Sequence, residues 1–200
     1  MTLLPAAYLP SVEYFAQLLR GGCVIDIGEH FIKRSERNRT RILAVDGPME
    51  LTVQVAHANR PRQPMRDVKI DYSKRWQHQH WGALVSAYRG SPYFDYFAEH
   101  FEPFYRRHYD FLADYNLQLT ETLCHLAGVT MPAVSDRYIE AAPDDCDLRP
   151  RNAKSPAFTA EPYIQVFADR LPFEANLSFA DLLFAEGPGC ISVLKHCLPE

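Results

Sequence analysis

The stretch that decides the fold is Met1–Gly28, MTLLPAAYLPSVEYFAQLLRGGCVIDIG. Residues 3–7 are apolar and lead into Pro10-Ser11, which read as a turn. Val12, Phe15, Ala16 and Leu19 then recur at helical spacing until Gly21-Gly22 stop the pattern. Cys23-Val24-Ile25-Asp26-Ile27 is a short run rich in β-branched residues, the kind of strand that a parallel sheet buries on both faces. Strand, helix and strand in this order predict a βαβ unit and a Rossmann-like first half.

Further strands are expected over Leu51–Ala56 and Val68–Tyr72, with a surface loop between them at Asn59–Arg66, which holds two prolines and three arginines. A helix capped by Ser73 runs to Tyr88 along the apolar line Trp76, Leu84 and Tyr88, with Trp81 beside it, and ends at Gly90. Ser91-Pro92 restarts helix through Phe94, Phe97, Ala98 and Phe101, and Pro103 breaks or kinks it. The longest stripe follows: Phe104, Phe111, Leu112, Tyr115, Leu119, Leu123 and Leu126, closed by Gly128. Residues 132–162 carry five prolines and the mixed-charge run DDCDLRPRNAKSP, too polar for core and too long for an ordinary connector. Tyr163–Phe167 reads as a strand, and Ser178-x-x-Asp181 as a capping box for a helix through Phe184 that Gly187-Pro188-Gly189 ends. The expectation is one α/β domain over residues 1–200, with a helical layer at about 74–128 and a strand and helix returning at the C-terminus.

Composition bounds the class of protein. With 200 residues, 47% of them hydrophobic and 23% charged, the chain is long and apolar enough to bury a core without disulfides or a structural metal. The formal charge of −4 argues against nucleic-acid binding by whole-surface attraction. No run approaches 18 apolar residues, so no membrane span is expected. The N-terminus lacks the basic flank of a secretory signal, and the five cysteines are an odd set without a C-x-x-C pair. A cytoplasmic protein without a disulfide framework or a zinc ribbon is the expectation.

The chemistry-bearing residues fall in two cationic groups. Lys33, Arg34, Arg37, Arg39 and Arg41 place five cations in nine residues around Asn38, just after Asp26 and Glu29 at the end of a predicted strand. Such a group grips a phosphate or carboxylate if the backbone turns it to one side, and otherwise is a solvated face or is neutralised by Asp26 and Glu29. Lys33, Arg34, Asn38 and Arg39 are therefore expected to line an anion site at the C-terminal end of the Cys23–Ile27 strand. Asp147, Arg149, Arg151 and Lys154, bracketed by Pro150 and Pro156, form the second group. Arg149 and Lys154 are expected to fold over that site. His78 and His80 are about 200° apart around a helix and do not share a metal; no metal site is expected. His80 lies on the apolar line between Trp76 and Leu84, where a packed core histidine competes with a general base oriented by Asp71. The sequence contains no G-x-S-x-G, Walker loop, G-x-G-x-x-G or H-E-x-x-H, so it names no cofactor.

Several blocks occur in a familiar order: Tyr8-x-Pro10 with Tyr14-Phe15, FIKRSERNRTRI at Phe31–Ile42, LTVQV from Leu51, VKIDYSKRW at Val68–Trp76, SPYFDYF from Ser91, Tyr115-Asn116, and YIQVF with FEANLSFADLLFAEGP near the end. They resemble the WbqC-like family, which is associated with bacterial surface-polysaccharide gene clusters. DDCDLRPRNAKSP replaces a glycine-containing segment of longer relatives, so the chain resembles a shortened branch. The resemblance implies transfer of a small amino-acyl or acyl group to a nucleotide-linked or lipid-linked sugar, with Tyr8 and Tyr14 among the ligand-binding residues. It leaves two alternatives open, a noncatalytic accessory protein of a polysaccharide pathway and a nucleotidyl-type transferase. For the second, Glu13-Tyr14 stand where nucleotidylyltransferases put paired histidines.

Overall fold

The computed structural model describes residues 1–56 and 62–198. Its centre is a parallel sheet of four strands in the order β5-β2-β1-β6: β1 is Thr2–Pro5, β2 Cys23–Asp26, β5 Ala133–Ser135 and β6 Cys146–Asp147. The first 28 residues fold as their pattern predicts. β1 pairs in parallel with β2, Leu4 opposite Ile25, and both residues are fully buried. Between them α1, Val12–Arg20, starts at Ser11, whose hydroxyl accepts from the Tyr14 N–H, and stops at Gly21 and Gly22. Both glycines have positive φ, a conformation that lets the chain turn straight back into β2 at little steric cost.

β6 pairs with the free side of β1, and β5 with the free side of β2. The chain leaves β1 toward β2 in one direction and returns to β6 on the other side, so the sheet has its switch point between β1 and β6. Ligand crevices in open α/β sheets form at the carboxyl ends of strands at such a point. Both added strands come from the proline-rich 132–162 region, where three residues and two residues are too few to leave an alternating pattern. The returning strand expected over Tyr163–Phe167 does not form. The Gln165 side chain instead bonds the Glu174 N–H and C=O, a local arrangement in place of a ladder. What returns to the sheet is α5, Phe179–Glu186, and α6, Cys190–Cys197, which pack on α1; Phe15 stacks on Phe179 with ring centroids 3.8 Å apart.

The cationic block is half of an antiparallel hairpin: β3, Arg39–Ala44, pairs with β4, Gly47–Thr52. The strand expected over Leu51–Ala56 is thus displaced toward the N-terminus, and Val68–Tyr72 makes isolated bridges only, Val55 with Ile70 and Lys69 with Phe111. Asn59–Pro61 of the expected loop lie outside the described residues. The helical layer is α2, Trp76–Tyr88, α3, Phe94–Phe101, and α4, Leu112–Ala127. α2 lies on the hairpin, where the Tyr88 hydroxyl accepts from the Leu43 N–H at 3.0 Å. The helix after Pro103 begins at Leu112 rather than Phe104, because Glu102–Tyr105 closes as a single 3-10 turn. Ser73 does not cap α2; Arg75 occupies that position, and Ser73 donates its N–H to Asp71.

Two glycines separate backbone need from backbone cost. A Cβ on Gly28, just past β2, would meet the Arg137 and Tyr138 backbone at 2.3 Å, and backbone cannot yield there. Gly82 sits exposed in α2, with open space where a Cβ would stand. Gly28→Ala should therefore destabilise by about 2–3 kcal/mol, as overpacking does. Gly82→Ala should stabilise by about 0.5–1 kcal/mol, since alanine loses less entropy in a helix. Urea unfolding of the two variants reads both signs.

Candidate functional site

Three loops leave the carboxyl edge of the sheet around the switch point: Ala6–Ser11 after β1, the 27–38 segment after β2, and the 148–155 segment after β6. They enclose an open cavity of about 190 Å³ lined by Tyr8–Ser11, Arg34–Glu36, Arg39–Arg41, Glu50, Asn152, Asn176 and Ser178. Of the five non-glycine residues with positive φ among the described residues, four line this cavity: Leu9, Arg34, Asn152 and Asn176. Left-handed backbone at such residues costs of order 1–3 kcal/mol each and collects where a site must be shaped. The cost is met by hydrogen bonds that tie the walls together. Thr40 Oγ1 donates to Leu9 C=O at 2.8 Å, Tyr8 N–H to Glu36 C=O at 2.8 Å, and Asn116 Nδ2 to Ala6 and Arg37 C=O at 2.9 and 2.7 Å.

Beneath the cavity two arginines are buried. Arg37 grips Glu29 with two prongs, Nε to Oε1 at 2.9 Å and Nη2 to Oε2, and gives a further Nη2 bond to the Arg149 C=O at 2.8 Å. Arg149 pairs with Asp26 through Nη1 and with both oxygens of Asp147 at 2.8 Å, and donates to Ile139 C=O at 2.7 Å. Asp26, with no exposed surface, also accepts the N–H groups of Gly28, Glu29 and Ile139. Each buried carboxylate here faces a guanidinium, which is the condition under which buried charge is tolerated. The two cationic groups thus meet in space, through Arg37 and Arg149, as an internal clamp.

The expected site residues divide accordingly. Arg34 and Arg39 line the cavity; Arg39 pairs with Glu50 at 2.6 Å, and its Nε is buried without a partner among the described residues. Lys33 and Asn38 do not line it: Lys33 is exposed, and Asn38 donates its amide to Val53 C=O. Arg149 is locked in the clamp instead of folding over the opening. Lys154 lines a different cleft with Met1, Gln17 and Arg20. Tyr14 is buried with its hydroxyl on Pro5 C=O. Tyr8 lines the cavity, but its hydroxyl points inward to His80 Nδ1 at 2.8 Å and Tyr105 at 3.1 Å.

Asp71 is not the partner of His80. It is taken up by the Ser73 turn, whereas His80 lies among Tyr8, Trp76 and the Thr52 backbone. An imidazole that accepts from Tyr8 at Nδ1 carries its proton on Nε2 and is neutral. Burial pushes its pKa down to about 4, with the bond to the Thr52 backbone opposing. The helix α1 start is equally committed. Val12 N–H bonds Leu177 C=O, Glu13 N–H bonds Asn176 Oδ1 and Tyr14 N–H bonds Ser11 Oγ, so these donors are not available to a phosphate as they are in nucleotide-binding turns. Sequence reasoning misses Glu36, a lone acid inside a run whose dominant signal is positive charge.

The sequence profile described as the WbqC-like protein family matches residues 6–152, which span the hairpin, the helical layer and both halves of the clamp. The chain belongs to the WbqC-like protein family. No curated protein and no solved structure matches it. Of this WbqC-like chain's cavity walls, Asn176 and Ser178 lie beyond the matched region. Among the described residues no helix is long and apolar enough to cross a membrane, and no group of three His, Cys, Asp or Glu is placed to hold a metal ion.

The enclosed His80 has a measurable consequence. Its unfolded imidazole takes a proton near pH 6.5 and the folded one only near 4, so the unfolded chain binds more protons between them. Stability should fall by up to about 3 kcal/mol as pH drops through that window. Unfolding midpoints of wild type and His80→Gln across it should show a flatter acid slope in the variant; parallel slopes contradict an enclosed neutral imidazole.

Proposed function

We propose that this protein is a small-group transferase of surface-polysaccharide biosynthesis, working in the cytoplasm on a nucleotide-linked or lipid-linked sugar that carries phosphate. Family membership supports the pathway. The observation that carries the site is the cavity at the sheet's switch point, where Arg34 stands on a left-handed turn and Arg39 on the first residue of β3. Arg34 makes no ion pair or hydrogen bond with any described residue, and Arg39 has a spare buried N–H. Both therefore have donors to give an anion, and guanidinium groups suit phosphate and carboxylate oxygens by geometry. With the α1 N–H groups already bonded, phosphate binding falls to these side chains, which separates the site from a nucleotidyl-transfer cradle.

The rival reading, a noncatalytic accessory protein, is favoured by one observation: the histidine and aspartate expected to form a base are apart, and the histidine is walled in. Both readings share the anion site and part only at turnover. Titration calorimetry with inorganic pyrophosphate and with uridine-diphosphate sugars tests the shared site. Arg34→Ala and Arg39→Ala should each weaken binding about ten-fold, the equivalent of about 1.4 kcal/mol for a lost charge-assisted bond in a solvent-open cavity. Lys154→Ala should leave it unchanged. Equal affinity in all three variants removes the cavity as the anion site, and acyl or amino-acyl transfer to a sugar acceptor then distinguishes enzyme from accessory protein.

A further inference from the structure

The cavity holds two opposite charges that the described residues leave unanswered. Glu36 lines it two residues from Arg34, its backbone pinned by the Tyr8 N–H, and its carboxylate makes no hydrogen bond or ion pair with any described residue. The charged groups around it are otherwise engaged. Arg37 is closed on Glu29, Arg39 faces Glu50, and Arg41 reaches Glu174. From α1, Glu13 accepts from Ser155 N–H and Asn176 Nδ2, and Tyr14 is bonded to Pro5. Thus, among the described residues lining the cavity, Arg34 is an unpaired cation and Glu36 an unpaired anion.

A ligand that is only an anion would satisfy the first and be repelled by the second. We propose that Glu36 receives a protonated amine, so that the cavity takes a small molecule with an anionic group toward Arg34 and Arg39 and an amine toward Glu36. This rests on the anion-binding reading above and narrows it from sugar phosphates in general to amine-bearing ones, or to free amino acids, which share the same two charges. The protonation behaviour of Glu36 agrees. Crowding by protein, reinforced by Glu13 and opposed by Arg37, pushes its carboxyl up to about 7, although the side open to water tempers the effect. A bound ammonium supplies the missing counter-charge and favours the ionised form.

Calorimetry of the full chain with inorganic phosphate, glucose 1-phosphate and glucosamine 1-phosphate tests this, with alanine and propionate as the amino-acid arm. At about pH 7.5 the amino sugar should bind about ten-fold more tightly than its hydroxyl counterpart, the worth of one ion pair at a partly open site. The preference should vanish in Glu36→Gln, with phosphate affinity kept or raised, and should shrink in wild type as the pH falls and Glu36 takes up a proton. The wild-type pH comparison holds even if the variant folds poorly. Phosphate binding with no amine preference, or a preference that survives in Glu36→Gln, overturns this inference alone. Absence of phosphate binding overturns it together with the anion site. A preference in the alanine and propionate pair but not in the sugar pair assigns the amine to an amino acid.

Discussion

Arg149 and Asp26 meet under the sheet's carboxyl edge with almost no exposed surface, and the positions of three loops follow from that contact. Asp26 ends β2, Arg149 follows β6, and β1 lies between those strands, so the pair draws together the two sides of the switch point. Arg37, bonded to both Glu29 and the Arg149 carbonyl, carries the same constraint into the chain that becomes β3. Removing one partner from such a network strands the other charge in a poorly solvated place, at a cost of about 3–5 kcal/mol. The geometry of the cavity is in this sense an outcome of charges that never reach it.

Much of the architecture is legible in the sequence and some of the site is not, for identifiable reasons. The βαβ unit and the apolar stripes of α2, α3 and α4 follow from periodicity, because burial on one face leaves a pattern over many residues. β5 and β6 span three and two residues inside a polar, proline-rich stretch, and so few residues carry no period. The cationic run shows where anion chemistry and neutralisation compete. It does not show that Arg37 turns inward while Arg34 turns to the cavity, since that depends on the left-handed turn at Arg34. Neutralisation of arginines by Asp26 and Glu29 holds for Arg37 and Arg149, one from each cationic group. His80 lies on an apolar line, and the structure places it as that line implies.

Scaffold and chemistry are therefore divided between neighbours in sequence. Arg37 and Asn38 hold the walls, while Arg34, Glu36 and Arg39, interspersed with them, face the opening. The same division keeps the clamp arginines bonded to Glu29 and Asp26, while Arg37 still acts on Glu36 through space. Tyr8 links the layers differently: it borders the cavity, and its hydroxyl anchors the aromatic core through His80 and Tyr105.

The claim that the Asp26–Arg149 pair holds the switch point together is tested most directly by a double-mutant cycle in urea, with Asp26→Asn, Arg149→Met and the double variant. Arg149→Met should cost about 3–5 kcal/mol, because it strands the buried Asp26 carboxylate, and Asp26→Asn less, because Asp147 still pairs with Arg149. The double variant should cost less than their sum by about 1.5–3 kcal/mol, the coupling expected of residues in direct contact. Small losses that add to within about 0.5 kcal/mol, as independent surface sites do, would contradict a clamp at this position.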